Sequence, residues 1–347
     1  MENNTSFNTT HDSQRLETVS FVIGAFILAI VFILGVPGNL FIIWSILARA
    51  RKRSVTTLII LNLACADGSI MCLTVFFIVY LARQSWEFGS SMCKLLFYLC
   101  NTNMYASIML ITLMSMYRLV TVLRPQRTHI FTRRRNVLTI LTILWVLVFT
   151  LAIPALIFRD IREENNQILC SHNHTEPKYE VFQLSMETVV GFLIPYGIII
   201  GSYVCILRHM RQKQLQKRVR SEKLILAIII TFAAFWLPYH IINIVQVVSA
   251  CITEQPKLKG ILDKIASSCR ATTSSLAFIS SCANPVLYAL AGRSYIHADG
   301  LSFMARLFES AGSETISGTL RIHRKVSRAG LAMLGLKNSN TNSTNQS

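Results

Sequence analysis

The chain has 347 residues, of which 52% are hydrophobic and only 15% carry a charge, and its mean hydropathy is +0.47. A soluble globular domain carries about 25% charged residues, so the composition argues against a water-soluble enzyme. Disorder is excluded for most of the chain by its apolar content. The net charge of +17 would indicate nucleic-acid binding only if the protein were soluble with a basic surface. The high hydropathy argues against a soluble protein. We therefore expect a membrane protein with several spans.

Seven stretches are long and apolar enough to cross a membrane, which takes about 20 mostly apolar residues. Each holds at most one charged side chain in its interior. The stretches are residues 17–49, 55–82, 95–123, 136–158, 181–207, 224–253 and 271–292. The first is too long for a signal peptide and lacks a cleavage site after a basic start, so we expect it to remain as a span. The sequence thus predicts an all-α membrane protein, with a seven-transmembrane helix bundle over residues 19–292.

The distribution of positive charge predicts the orientation of this bundle. Cytoplasmic loops are enriched in Lys and Arg, and with the N-terminus outside, 24 of the 34 Lys and Arg residues fall on the cytoplasmic side. This places an extracellular, glycosylated segment at residues 1–18 and the C-terminus in the cytoplasm. Sequons on the external side agree, although so short a motif also arises by chance. They begin at Asn3, Asn4, Asn8 and Asn173.

Polar side chains near the middle of the bundle predict an ion site. A charge inside a span costs about 2.5–3.5 kcal/mol on insertion scales, and Asp67 lies roughly 18 Å into its span. Carboxylate, hydroxyl and amide oxygens together suit a hard cation such as Na⁺. A helix-packing cluster without an ion fits the same residues equally well. The other side chains at this depth are Asn39, Ser107, Ser281 and Asn284.

Prolines inside the spans indicate kinked helices around a central cavity. A channel or transporter would use the same device, usually with internally repeated halves. Trp236-Leu237-Pro238 and Asn284-Pro285 have no counterparts three or four spans earlier, so the repeat is absent. The sequence shows neither a nucleophile–base pair nor a metal triad, so nothing in it indicates an enzyme.

Several motifs together resemble those of rhodopsin-like G-protein-coupled receptors. They are Asn39, Asp67, Trp145, the run FWLP at 235–238 and the run NPVLY at 284–288. Within that family, the runs NMYAS at 103–107, FAAFWLPYH at 232–240 and ALAG at 289–292 are similar to leukotriene B₄ receptors. Lys94 and the run LSMET at 184–188 look more like the second, low-affinity subtype.

The resemblance implies a plasma-membrane receptor that transmits ligand binding to inhibitory-type heterotrimeric G proteins in chemotactic or inflammatory signalling. The implied ligand is leukotriene B₄ or a related hydroxy fatty acid such as hydroxyheptadecatrienoic acid. Receptor kinases, arrestin and membrane lipids are the other implied partners, and a disulfide between Cys93 and Cys170 is implied as well. A receptor for another acidic lipid or a chemoattractant peptide is the alternative, and a channel or transporter is the alternative of a different class.

Basic side chains at the outer ends of the spans are the candidates for binding the ligand's carboxylate. Arg270, at the outer start of the seventh span, can bind a carboxylate bidentately. Lys94 and Arg159 can steer an anion toward the mouth of the site.

Glu187 lies about two helical turns from Pro195 and is costly to bury unpaired. It can accept a hydrogen bond from a ligand hydroxyl, or pair with His240 or Asn243, which share a helix face. We expect an apolar channel lined by Tyr105, Tyr239, Met186 and Phe97.

The resemblance assigns a conformational switch to residues below this channel. Trp236 and the Pro238 hinge would move the sixth span, after which other residues rearrange to open a cleft for a G-protein helix. These other residues are Arg118, Tyr203 and Tyr288. The family's usual Asp-Arg-Tyr here reads Tyr117-Arg118-Leu119. Loss of the acid predicts a less firmly held resting state and raised basal signalling, and loss of activity through a misplaced arginine is the competing outcome.

The chain beyond the seventh span is expected to lie on or near the membrane. Residues 293–309 have the pattern of an amphipathic surface helix, and residues 310–347 that of a flexible cytoplasmic tail. Cys251 and Cys269 flank the last external loop and are either bridged or free. Phosphorylation is predicted for the tail residues Ser310, Ser313, Thr315, Ser317 and Thr319.

Overall fold

The structure is a computed structural model that describes residues 2–49, 54–124, 126, 133–164, 167–212, 219–252 and 254–299. Within these ranges it describes no side chain for residues 2–14, 49, 134, 211, 219–225 and 288–299.

The described chain forms the predicted bundle of seven helices. Helix α1 spans Glu2–Trp44 and ends in a π-helical turn at Ser45–Arg49. Helices α2, α3 and α4 span Val55–Arg83, Gly89–Leu123 and Arg134–Ile157. Helix α5 has three consecutive parts, which are Pro177–Thr188, a π-helical turn at Val189–Leu193, and Ile194–Gln212. Helices α6 and α7 span Val219–Cys251 and Pro256–Asp299.

The helices have the surface of a membrane protein. Within the described residues, six of them, α1 to α6, are long and apolar enough to cross a bilayer. Large apolar side chains point outward, among them Phe26 and Ile33 on α1 and Ile143 on α4, which are 68%, 66% and 62% exposed. Such faces are unfavourable in water but stable in hydrocarbon.

A glycine and a side-chain hydrogen bond mark two of the contacts between helices. A Cβ atom added to Gly38 on α1 would lie 2.8 Å from Cβ of Pro285 on α7. Asn62 on α2 and Trp145 on α4 are joined by a 2.9 Å hydrogen bond from the indole N–H. The seven helices of the structure confirm the predicted bundle.

The loop between α4 and α5 forms a β-hairpin, which the all-α prediction missed. Strand β1, Arg159–Glu164, pairs antiparallel with β2, Gln167–His172. The predicted disulfide between Cys93 and Cys170 is present and ties β2 to α3. The backbone N–H of Trp86 also donates to the carbonyl of Ile168 at 2.6 Å. These links hold the hairpin over one end of the bundle.

Helix α7 begins earlier than the predicted span at 271–292. Its first turns extend beyond the apolar stretch and bond to the end of α6. The Ser249 hydroxyl donates to Asp263 at 2.5 Å, and Lys259 donates to the Ser249 carbonyl at 3.2 Å. Cys251 and Cys269 are free thiols.

Candidate ligand-binding site

A carboxylate at the centre of the upper bundle organises the candidate site. Glu187 on α5 is 2% exposed. It accepts hydrogen bonds from Gln183 at 2.9 Å and from the Tyr239 hydroxyl at 2.8 Å. Asn101 and Asn243 donate to it at 3.4 Å. Of the two residues predicted to pair with Glu187, Asn243 does so, whereas His240 makes no hydrogen bond to it.

Arg270 reaches this cluster from α7. Its guanidinium donates to the Asn243 side-chain carbonyl at 2.6 Å and to that of Gln246, and it lies 5.4 Å from the ring centre of Tyr239. Both hydrogen-bond acceptors are neutral amides. The arginine is thus oriented, while its charge is not neutralised by direct contact with an acid in the described part of the chain.

Arg159 also lies within the site, although the sequence predicted only a steering role at its mouth. Its guanidinium stacks 3.7 Å from the ring centre of Phe97, and it contacts the Cys170 carbonyl at 3.2 Å and the His172 imidazole at 3.0 Å. Burial lowers the pKa of Arg159 to about 10, so it stays charged at neutral pH. Burial and the positive charge of Arg159 hold the pKa of His172 well below its usual value, so His172 is neutral.

Lys94 does not share this environment. It forms an ion pair with Asp160 of the hairpin at 3.3 Å, and each side chain is 34% exposed. The Ser90 hydroxyl donates to the same carboxylate at 2.6 Å and is the main reason why the pKa of Asp160 lies below its usual value. Lys94 therefore serves as an anchor for the hairpin near the solvent.

Among the three inner charged residues Arg159, Arg270 and Glu187, positive side chains outnumber negative ones by one. Arg159 and Arg270 are positive, and both interact electrostatically with Glu187, the one acid among the inner residues described above. Glu180, at the outer first turn of α5, acts on Arg270 from nearer the solvent. A partly desolvated cation without a counter-ion is costly. The inner site is electrostatically complementary to a ligand with a single negative charge.

The predicted lining residues lie around this cluster. Phe97 contacts Arg159 as described, and Tyr239 contacts both Glu187 and Arg270. Tyr105 is fully buried, and Met186 packs against the main core.

Below the site, Trp236 is 8% exposed and its indole N–H donates to the Ser280 hydroxyl at 2.9 Å. Pro238 lies inside α6, above Trp236. Arg118 and Tyr203 are half-buried, and the Tyr288 side chain falls outside the described residues.

The candidate ion-site residues come together around Asp67, which is fully buried. Its carboxylate accepts from Ser107 at 3.2 Å and from Asn284 at 2.8 Å. Asn39 instead donates to the Ser281 backbone carbonyl at 3.3 Å, linking α1 to α7. The described residues contain no group of three or more His, Cys, Asp or Glu side chains that could hold a metal ion, and Asp67 is the one acid among the candidate ion-site residues.

Comparison with known proteins decides the family. The sequence family described as 7 transmembrane receptor (rhodopsin family) matches residues 38–288. The chain belongs to the rhodopsin family of seven-transmembrane receptors. It is therefore a receptor and not an enzyme, and the alternative of a channel or transporter is not supported.

Among curated relatives, leukotriene B4 receptor 1 from Homo sapiens is 38% identical over 315 residues, covering 90% of this chain and 89% of that protein. Leukotriene B4 receptor 2 from Homo sapiens is 34% identical, covering 86% and 84%. Chemerin-like receptor 2 from Mus musculus is 30% identical, covering 86% and 85%. The predicted likeness to leukotriene B₄ receptors is confirmed. The lean toward the second subtype is not supported, since identity to receptor 1 is slightly higher.

Sequence reasoning missed several polar members of the site. Gln183 was detectable, because it lies four residues before Glu187 on the same helix face. Gln246 was detectable in the same way, because it lies three residues after Asn243. Asn101 carried no such signal, since it comes from a helix distant in sequence. His174, which bonds Gln183 at 3.0 Å, is in the loop after the hairpin.

Other predicted sites are only partly covered. Asn173 is exposed, as a glycosylation site requires. The side chains of Asn3, Asn4 and Asn8 lie outside the described residues, as do the five tail residues predicted to be phosphorylated. The predicted surface helix at 293–309 is described only to Asp299, as backbone.

Proposed function

We propose that this receptor binds a long-chain hydroxy fatty acid, leukotriene B₄ or a relative such as hydroxyheptadecatrienoic acid, and signals through inhibitory-type G proteins. The observation that carries the proposal is the single excess positive charge formed by Arg159, Arg270 and Glu187. A fatty acid carries one carboxylate, and guanidinium groups bind carboxylates through charge-assisted hydrogen bonds. The aromatic and apolar side chains nearby suit its chain.

The relatives support the same ligand class. Two of those reported above are named as receptors for leukotriene B4. Chemerin-like receptor 2, at 30% identity, is not named for leukotriene B4, so a ligand of another class, such as a chemoattractant peptide, is the second candidate. A lipid is favoured because the two arginines are partly buried and lie against the aromatic rings of Phe97 and Tyr239.

The same proposal includes the topology. The hairpin and the exposed Asn173 face the outside, and the Lys- and Arg-rich loops face the cytoplasm, as the positive-inside rule requires. Phosphorylation of the tail by receptor kinases would then recruit arrestin through added negative charge.

The test is G-protein activation in cells expressing the chain. Leukotriene B₄ and hydroxyheptadecatrienoic acid are compared with their methyl esters, which lack the charge. We expect the free acids to activate the receptor, the esters to be weak, and Arg270→Ala to abolish the difference. Lys257→Ala, an exposed cation at the start of α7, is the matched control. Silence to both acids, with the receptor shown at the cell surface, would refute the proposed ligand class.

We also propose that Asp67 binds Na⁺ as an allosteric ion, together with Ser107, Asn284 and Ser281. Carboxylate and hydroxyl oxygens suit this ion. Agonist affinity should fall as NaCl replaces choline chloride at constant ionic strength in the wild type, and stay constant in Asp67→Asn. Equal sodium dependence in both proteins would leave Asp67 a packing residue only.

A further inference from the structure

The hydrogen-bonding capacity of Glu187 is already used within the bundle. An ionised carboxylate has about four acceptor positions. One oxygen accepts from Gln183 and Asn101, and the other from Tyr239 and Asn243. A hydroxyl on the ligand therefore has to find its partner elsewhere.

Three nearby residues have buried polar atoms with no hydrogen-bond partner among the described residues. These atoms are the Tyr105 hydroxyl, the Thr188 hydroxyl and both ring nitrogens of His240. The three residues are 0%, 4% and 1% exposed. Buried polar groups in folded proteins almost always have a partner, so several orphan atoms in one region indicate a missing hydrogen-bonding group.

The π-helical turn of α5 adjoins or contacts all three of these residues. Thr188 directly precedes the turn. A Cβ atom on Gly191, within the turn, would lie 3.2 Å from Cε1 of Tyr105 on α3. Phe192, the next residue, stacks on His240 of α6 with ring centres 4.8 Å apart. π-helical turns occur frequently at functional sites, and residues of this one contact both α3 and α6.

The chemistry of these groups matches an alcohol. Tyrosine and threonine hydroxyls both donate and accept, and a neutral imidazole has one donor and one acceptor nitrogen. An alcohol likewise donates one hydrogen bond and accepts others. A purely apolar segment of the ligand next to these residues would leave every one of these atoms without a hydrogen bond.

We propose that Tyr105, Thr188 and His240 form the subsite for a hydroxyl group of the ligand. This inference rests on the proposed function and assigns the second polar group of the hydroxy acid, after the carboxylate. His240 lies one helical turn from Trp236, with ring centres 6.0 Å apart. A ligand hydroxyl bound to His240 would therefore lie next to Trp236, the residue assigned to the switch.

The experiment compares two acids that differ by the hydroxyl alone, hydroxyheptadecatrienoic acid and heptadecatrienoic acid. The wild-type receptor should prefer the hydroxy acid by about tenfold, as one buried hydrogen bond predicts. Tyr105→Phe and His240→Phe should each reduce this preference toward one, by weakening the hydroxy acid and leaving the deoxy acid unchanged. Thr188→Val should act in the same direction.

Tyr196→Phe is the matched control for the tyrosine substitution. The Tyr196 hydroxyl already donates to the Ile229 carbonyl at 2.6 Å, so its loss should leave the preference between the two acids intact. Cell-surface expression and thermal stability of each variant separate ligand effects from folding defects.

The outcomes distinguish this inference from the proposed function. If both acids lose potency equally in Tyr105→Phe and His240→Phe, the orphan atoms bind only water or serve packing, and the inference is overturned. A wild-type receptor that responds to both acids equally also overturns it, while leaving the proposed function standing. If neither acid activates the wild type, both fail together.

Discussion

Replacement of Arg159 by glutamine tests whether this residue contacts the ligand or only attracts it. The substitution removes the charge and leaves a shorter, neutral polar side chain. Arg159 contacts the Cys170 carbonyl at 3.2 Å and the His172 ring at 3.0 Å, and it stacks 3.7 Å from the ring centre of Phe97. These contacts fix the guanidinium within the site before any ligand arrives.

The expected magnitude follows from the charge count of the site. Without Arg159, the remaining Arg270 and Glu187 cancel and no excess positive charge is left for a carboxylate. A hydrogen bond to a charged group contributes about 1.5–3 kcal/mol, which corresponds to about a 10- to 150-fold loss of affinity. The methyl ester should bind the variant and the wild type equally, since it has no charge to lose.

The assay is competition binding of a free acid and its ester to membranes, at low and high ionic strength. Arg162→Gln is the matched control, because Arg162 is an exposed arginine on the same strand. If Arg159 contacts the ligand, the affinity lost in Arg159→Gln stays lost at high salt. Long-range steering between exposed charges is screened at high salt, so a loss due to steering alone would disappear. Equal effects of the two substitutions, or a loss that vanishes in high salt, would refute the assignment of Arg159 to the site.

Three further predictions concern packing, basal activity and pH. Gly38→Ala should lower stability by about 1–3 kcal/mol, because its Cβ would lie 2.8 Å from Pro285, whereas Gly197→Ala has no atom within 4 Å and should be neutral or stabilising; equal melting temperatures would contradict this. Tyr117→Asp should lower basal G-protein signalling, and a wild type already at background level would refute the hypothesis. Because the pKa of His172 is depressed in the folded state, its contribution to stability is present above its unfolded pKa of about 6.5 and is lost as the pH falls below it, by at most about 1.4 kcal/mol per unit. Melting curves at pH 7.5 and 5.5 should show this loss in the wild type and not in His172→Gln, and parallel losses would count against it.

The membrane bundle and the polar cluster around Asp67 were predictable because they depend on patterns local to each helix. Hydropathy over about 20 residues identifies a span wherever its neighbours lie. A carboxylate such as Asp67 is so costly in hydrocarbon that it must turn inward toward other polar groups. Ser107 and Asn284, chosen only for their depth, do donate to it. The disulfide followed from family resemblance rather than from these patterns.

The ligand site depended on how separate elements pack, and the sequence by itself could not supply this. Arg159 looks like a loop arginine until the hairpin folds over the bundle and places it on Phe97. From its own helix alone, Glu187 would have free acceptor positions for a ligand hydroxyl. Only the packing of α3, α5 and α6 shows that both of its oxygens already accept hydrogen bonds. Composition and periodicity determined which segments lie in the membrane, because transfer into lipid is a property of each segment. Tertiary structure decided which polar groups remain unsatisfied, because a hydrogen bond between distant segments requires both partners in place.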